Sequence, residues 1–202
     1  MRKILLAVAA LCVMTSGPAM AQHQDGKWQF RARAVHLDSE NKGVAPGLDV
    51  GINDKWMPEV DVSYYFTPNI AAELVLTYPQ KHTVRLNGDK IGTLKHLPPT
   101  LLLQYHFTDF GAFKPYVGAG VNYTRFSSVD LAIPGAALDV KRSSFGAALQ
   151  IGFDYALDKN WSLNVDVKKV YIDTDVKVKN GASLGNFKVN PWLIGIGLGY
   201  RF

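Results

Sequence analysis

The sequence predicts an all-β protein: an eight-stranded antiparallel transmembrane β-barrel with four long extracellular loops and short periplasmic turns. Three observations carry this. Apolar residues recur at every second position in eight separate segments, the period of a strand with one apolar face. The connections between those segments alternate between short and long. No run of 18 apolar residues follows residue 21. A membrane can then be crossed only by a closed barrel, which leaves no backbone group unpaired in lipid.

Residues 1–21 read as a cleaved signal peptide. Arg2 and Lys3 precede an apolar stretch over 4–14, too short for the about 20 residues that span a bilayer. Ala19-Met20-Ala21 forms an A-x-A cleavage site. Residues 22–202, beginning at Gln22, then form one barrel domain. The single cysteine, Cys12, falls in the signal. Net charge is +5, and without Arg2 and Lys3 the balance is 20 basic to 17 acidic residues. That is too mild an excess for a nucleic-acid partner.

The segments follow in order. The first, 28–37, aligns Trp28, Phe30, Ala32 and Ala34; the second, 56–66, aligns Val60, Val62, Tyr64 and Phe66. The third, 70–78, aligns Ile70, Ala72, Leu74, Leu76 and Tyr78, and the fourth, 96–107, aligns Leu97 through Phe107. The fifth, 114–124, and the sixth, 144–157, carry Val117, Val121 and Tyr123, then Phe145, Leu149, Ile151 and Tyr155. The seventh begins at Trp161 with Leu163, Val165 and Val167; the eighth is WLIGIGLGYRF at 192–202. In the seventh, Lys169 falls on the lipid face, so a bulge or exit from the membrane is expected after Val167. Connections 67–69, 108–113 and 158–160 are short; 38–55, 79–95, 125–143 and 174–188 are long and polar. Short turns belong to the periplasm and long loops outside. Trp28 and Trp161 sit at inner strand ends and Trp56 and Trp192 at outer ones, as two interfacial aromatic girdles require.

The opposite parity defines the lumen. Arg31, Arg33, Glu59, Asp61, Glu73, Asp166 and Lys168 face inward low in the barrel, with Gln104, His106, Gln150 and Asp154. An eight-stranded barrel is narrow enough for side chains to fill, so these residues are expected to pair into a plug. Gly195, Gly197 and Gly199 leave room for them. Higher up, Val35, Leu37, Val75, Leu102, Val189 and Leu193 face inward, with Val189 and Leu193 beginning the eighth strand. Apolar residues on both faces of a membrane strand imply an apolar occupant. Pro79, Pro98 and Pro99 cluster at the outer ends of the third and fourth segments. Proline cannot donate to a ladder, so a lateral gap is expected there. The expectation is a channel that takes up small hydrophobic molecules passively and releases them sideways above the plug. A structural, adhesive or stress-related barrel without transport is the open alternative.

A chain ending on Phe202 with Tyr200 two residues before it resembles the assembly signal of bacterial outer-membrane barrels. More specifically, HLPPTLLLQYHF (96–107), KPYVGAGVNYT (114–124), YIDTDV (171–176), and NPW (190–192) through GYRF (199–202) resemble the OmpW family of small outer-membrane proteins. The resemblance covers the whole of 22–202. It implies an eight-stranded barrel with a hydrophobic channel and a lateral opening, in the Gram-negative outer membrane. Implied partners are outer-membrane lipids and lipopolysaccharide, a small hydrophobic substrate and the barrel-assembly machinery, with the chain a monomer. No catalytic, cofactor or metal role is expected. His96 and His106 point inward with no serine placed beside them on a lipid face. Asp173 and Asp175 at a loop mouth lack further ligand spacing.

Overall fold

In the computed structural model, which describes residues 26–41, 49–179 and 181–202, the chain closes on itself as an antiparallel sheet. The signal segment, residues 1–21, lies outside the described residues. The strands among the described residues are β1 (Trp28–Asp38), β2 (Val50–Ile52), β3 (Lys55–Tyr65), β4 (Ile70–Leu76), β5 (Gln80–Leu86), β6 (Asp89–Leu97) and β7 (Thr100–His106). They continue with β8 (Phe113–Ile133), β9 (Ala136–Val140), β10 (Ser143–Ala156), β11 (Trp161–Val170), β12 (Asp173–Val178), β13 (Ser183–Lys188) and β14 (Trp192–Arg201).

Eight of these, β1, β3, β4, β7, β8, β10, β11 and β14, form the ring, with β14 returning to pair with β1. Closure leaves no strand edge in contact with lipid. The outward faces carry Val60, Leu74, Leu101, Leu103, Leu149, Ile151, Ile196 and Leu198, all exposed. Water would oppose such a surface and a bilayer favours it. The aromatic girdles bound it. Below, Trp28 packs on Tyr64, Trp161 on Tyr200, and Phe30 stacks on Phe202. Above, Trp56, Tyr78, Tyr123 and Trp192 stand exposed.

Three expectations need correction. First, the long connections are not plain loops. They hold six strands, β2, β5, β6, β9, β12 and β13, which raise the wall beyond the membrane. There the polarity inverts: Val84, Leu94, Leu131, Val140, Val176 and Phe187 are buried inside, while Lys81, Arg85, Arg125 and Asp130 face out. Second, of the two alternatives expected after Val167 in the seventh strand, there is no bulge, and Lys169 lies where the strand leaves the membrane. Lys168, Lys169 and Val170 oppose Gln150, Leu149 and Ala148 in unbroken register. Lys169 reaches the interface instead: its ammonium lies 2.9 Å from Glu40, donates to the Asn190 carbonyl at 2.6 Å, and sits over Trp192. A long cationic side chain can snorkel there without leaving the strand. Third, the eighth strand begins at Trp192; Val189 precedes it, its amide bonded to the Ile172 carbonyl at 2.9 Å.

Strand β8 joins the two tiers. Its lower part pairs with β7 and β10, its upper part with β6 and β9. One extra residue is accommodated where Thr93 opposes Asp130 and Lys95 opposes Ser127. Ser128 takes φ +48° at this bulge. The inward face therefore changes parity, from Asn122, Thr124 and Phe126 below to Leu131 above.

Candidate channel and its lateral seam

The floor is built by the inward residues of β1 against its two neighbours. Arg31 and Arg33 lie directly opposite Asp61 and Glu59 on β3, and opposite Gly199 and Gly197 on β14. A Cβ at Gly197 would collide with the Ala32 carbonyl and the Arg33 backbone, so glycine is what lets the two strands and the arginine coexist. Arg31 is 3.1 Å from Asp61, 3.2 Å from Glu73 and 2.8 Å from Asp154. Arg33 is 3.1 Å from Glu59, 2.6 Å from Asp61, 3.2 Å from Glu73 and 2.9 Å from Asp166. Lys168 completes the set, 2.6 Å from Glu59 and 2.8 Å from Asp166. Neutral groups seal its edge: Gln104 donates to Gln150, which donates to Asp166, and Asn164 donates to Asp154 and to the Tyr116 hydroxyl. Tyr65 donates to Gln29 at 2.7 Å. The sequence reading did not single out Tyr65, Tyr116 and Asn164 as floor residues. The signal was available for all three, since each shares the parity of its inward neighbours.

Above the floor the lining turns apolar. Val35, Leu37, Val75, Leu102, Val189 and Leu193 all belong to one buried apolar cluster. Leu37, Val75 and Leu193 line a narrow cavity, about the size of one water, together with Met57, Val170 and Ile172. Glu59 and Lys168 close that cavity below, and Leu76, Thr77 and Pro98 form one side. A second cavity lies in the upper tier, walled by Val84, Leu94, Leu131, Leu138, Val140 and Phe187 among others. The sequence reading assigned this upper region to loops and placed no lining there.

The side wall at Leu76, Thr77 and Pro98 is where the ladder breaks. Strand β4 pairs with β7 up to Val75 opposite Thr100. Pairing resumes only at Gln80 opposite His96, between β5 and β6. Residues 76–79 and 97–99 face each other with no ladder pair. The other side of the same segment stays joined to β8, with Tyr123 donating its amide to the Pro99 carbonyl at 3.0 Å. Side chains instead tie each flank of the seam to its outer neighbour, β8 on one side and β3 on the other. The Asn122 amide donates to the Pro98 and Pro99 carbonyls at 3.2 and 3.1 Å. Thr77 donates to the Pro58 carbonyl at 2.8 Å. Pro79 is exposed on the outer surface beside Tyr78, and Pro98 and Pro99 are half-buried.

Two histidines stand just above the seam, in the tier whose outer face is charged and so clear of the bilayer. His82 and His96 are buried and stacked, ring centres 4.6 Å apart at 22°. Burial pushes His82 down to about 4, opposed by its hydrogen bond with the Asn53 backbone and by Asp54, and reinforced by Lys55. Burial pushes His96 down to about 3, with His82 and Lys55 adding to the effect. The unfolded chain takes up these protons near 6.5. It therefore binds more protons than the fold between 6.5 and the folded midpoints, and the upper tier loses stability as pH falls through that window. Imidazole resonances titrating near 4 and 3, with faster amide exchange in β5 and β6 below pH 6, are the expected result. Midpoints near 6.5 would contradict it.

Comparison with known proteins agrees with this architecture. The sequence matches the OmpW family over residues 24–202. An outer-membrane protein of Sinorhizobium fredii, y4mB, is 45% identical over 208 residues, 96% of this chain and 90% of that one. The crystal structure of OprG from Pseudomonas aeruginosa superposes with a TM-score of 0.77 at 30% identity, covering 90% and 98% of the two chains. The AlkL structure in lipid bilayers gives 0.68 at 25% identity, covering 94% of each. A more distant relative from Pseudomonas aeruginosa, the dibenzothiophene metabolism operon protein PahQ, is 28% identical over 81% of this chain and 73% of its own. The chain belongs to the OmpW family and is an eight-stranded barrel of the Gram-negative outer membrane.

Proposed function

We propose that the protein is a passive channel for small hydrophobic molecules. They enter the upper tier from outside, descend to the apolar collar, stop at the ion-paired floor and leave sideways into the bilayer. The observation that carries this reading is a coincidence of height. The cavity whose base is Glu59 and Lys168 has Leu76, Thr77 and Pro98 in its wall, where the ladder between β4 and β7 has ended. A molecule without charge gains nothing by displacing ion pairs below it, and the seam offers an apolar way out at its own level. PahQ, named for an operon that handles an apolar aromatic compound, supports the reading.

The reading needs no cofactor, metal or catalytic group. The barrel acts as a monomer among outer-membrane lipids and lipopolysaccharide. Tyr200 and Phe202, exposed at the periplasmic rim, are what the assembly machinery engages.

The test is to close the seam. Thr77→Cys combined with Pro98→Cys, oxidised to a disulfide or bridged by a short thiol crosslinker, joins the two facing segments. Uptake of a fluorescent apolar compound into proteoliposomes is expected to fall about tenfold, and reduction of the disulfide restores it. Undiminished uptake through the sealed barrel rules out lateral exit.

A further inference from the structure

Between the upper cavity and the collar, the inner face of β5 and β6 carries three polar side chains in otherwise apolar surroundings. Gln80 and His82 are fully buried and His96 is 1% exposed. Gln80 lies directly across the ladder from His96, close enough for their side chains to share one site. His82, two residues along the same face, stacks on His96.

Their hydrogen-bond roles are fixed by their neighbours. The Gln80 amide donates to the Tyr78 carbonyl at 3.0 Å and to the Thr77 hydroxyl at 3.3 Å. Its Oε1 is therefore an acceptor, and it has no hydrogen-bond partner among the described residues. His82 Nδ1 lies 3.2 Å from the Asn53 carbonyl. A carbonyl only accepts, so Nδ1 carries the proton and Nε2 of the neutral ring is a bare acceptor. That Nε2 has no hydrogen-bond partner either, nor does Nε2 of His96. Buried polar atoms are ordinarily satisfied, and each one that is not calls for an explanation. Two fixed acceptors and one ring nitrogen free to choose its tautomer can take a hydroxyl group, which donates to one of the acceptors and accepts from His96 once its Nε2 carries the proton.

Building on the channel reading above, we propose that Gln80, His82 and His96 form a docking point for the hydroxyl of an otherwise apolar molecule. The substrates it favours are phenols and medium-chain alcohols over bare hydrocarbons or carboxylates. A carboxylate brings acceptors to acceptors and would have to shed its water in the apolar tier above. An ammonium would have to shed its water in the apolar tier above, and it would meet Lys55, which acts electrostatically on both histidines. A hydroxyl keeps its hydrogen bonds on the way down. It is handed over beside Thr77, the residue that also bonds Gln80 at the seam.

The experiment compares p-cresol with toluene, two molecules of one shape that differ by a hydroxyl, on the refolded full chain in lipid nanodiscs. p-Cresol is expected to bind about tenfold more tightly than toluene, the worth of roughly one well-made buried hydrogen bond. It is also expected to shift the Nε2 nitrogen resonances of His82 and His96, while toluene leaves them in place. In Gln80→Leu/His82→Leu, checked for heat-modifiable folding, the preference for p-cresol is lost and toluene binding is retained. Equal binding of the two by the wild type, a preference that survives in the variant, or Nε2 resonances unmoved by p-cresol because a resident water holds them, would each overturn the proposal. The resonance measurement needs no variant, so it stands if the double substitution fails to fold. If neither compound binds the wild-type barrel, the channel reading fails as a whole; if both bind alike, only the hydroxyl preference does.

Discussion

Arg33→Met is expected to stop the barrel from assembling, whereas Asp61→Asn is expected to assemble with a moderate loss of stability. Among the described floor residues, Arg31, Arg33 and Lys168 face Glu59, Asp61, Glu73, Asp154 and Asp166. Carboxylates already outnumber cations. Arg33 alone touches four of the acids and is 3% exposed. Its loss strands buried negative charge with no water to receive it, which costs about 3–5 kcal/mol. Replacing Asp61 by its amide removes one negative charge from a negative excess and keeps an oxygen for Arg31 but turns the NH2 group toward Arg33, at a cost of about 1–3 kcal/mol. Heat-modifiable migration in gels and urea midpoints in lipid vesicles measure both. A stable Arg33→Met barrel beside a failing Asp61→Asn barrel would show that the floor is not held by its arginines.

The second large effect is expected on transport alone. Val75→Lys puts an ammonium in the collar, where Val75 is 4% exposed and lines the cavity above the floor. Val75 lies opposite Asp61 on β3, so the new cation meets an acid and assembly is retained. An apolar molecule must then displace water from a hydrated charge, at a cost of a few kcal/mol. Each 1.4 kcal/mol is a factor of ten, so uptake of a hydrocarbon is expected to fall about 100-fold. Val75→Met, apolar and flexible, should transport within a few-fold of wild type. Wild-type uptake by a correctly folded Val75→Lys barrel would place the path elsewhere.

The membrane tier could be read from the sequence because lipid imposes one rule on every strand there. Outward residues must be apolar, so Phe30, Leu74, Leu101, Ile151 and Ile196 announce their faces. The charged floor followed from parity for the same reason: Arg31 and Asp61 had nowhere to go but inward. The upper tier obeys the opposite rule, with water outside and apolar side chains within, so a search for outward apolar residues passes over it. Strand β5 hides further, because its inner face begins with Gln80 and His82 before reaching Val84. In β8 the bulge at Ser128 exchanges the two parities midway. No period-two pattern survives such a switch. Lys169 misled for a different reason: its backbone position obeys the strand while its charge sits some ångströms away, on Glu40 and over Trp192.

The length of β8 has a consequence for the cell envelope. Its 21 residues, at about 3.4 Å each and tilted near 45°, rise through roughly 50 Å. The apolar band of an outer-membrane barrel is only about 25 Å tall, so about half of this wall stands above the bilayer. The leaflet it pierces is capped by charged, hydrated sugar, the layer that keeps oily solutes from reaching the lipid beneath. A collar that stopped at the lipid surface would leave that obstacle in place. One continuous strand lifts the mouth through the sugar; under the channel function proposed above, an oily solute would then not have to dissolve in it, while ions and water would still meet a sealed base.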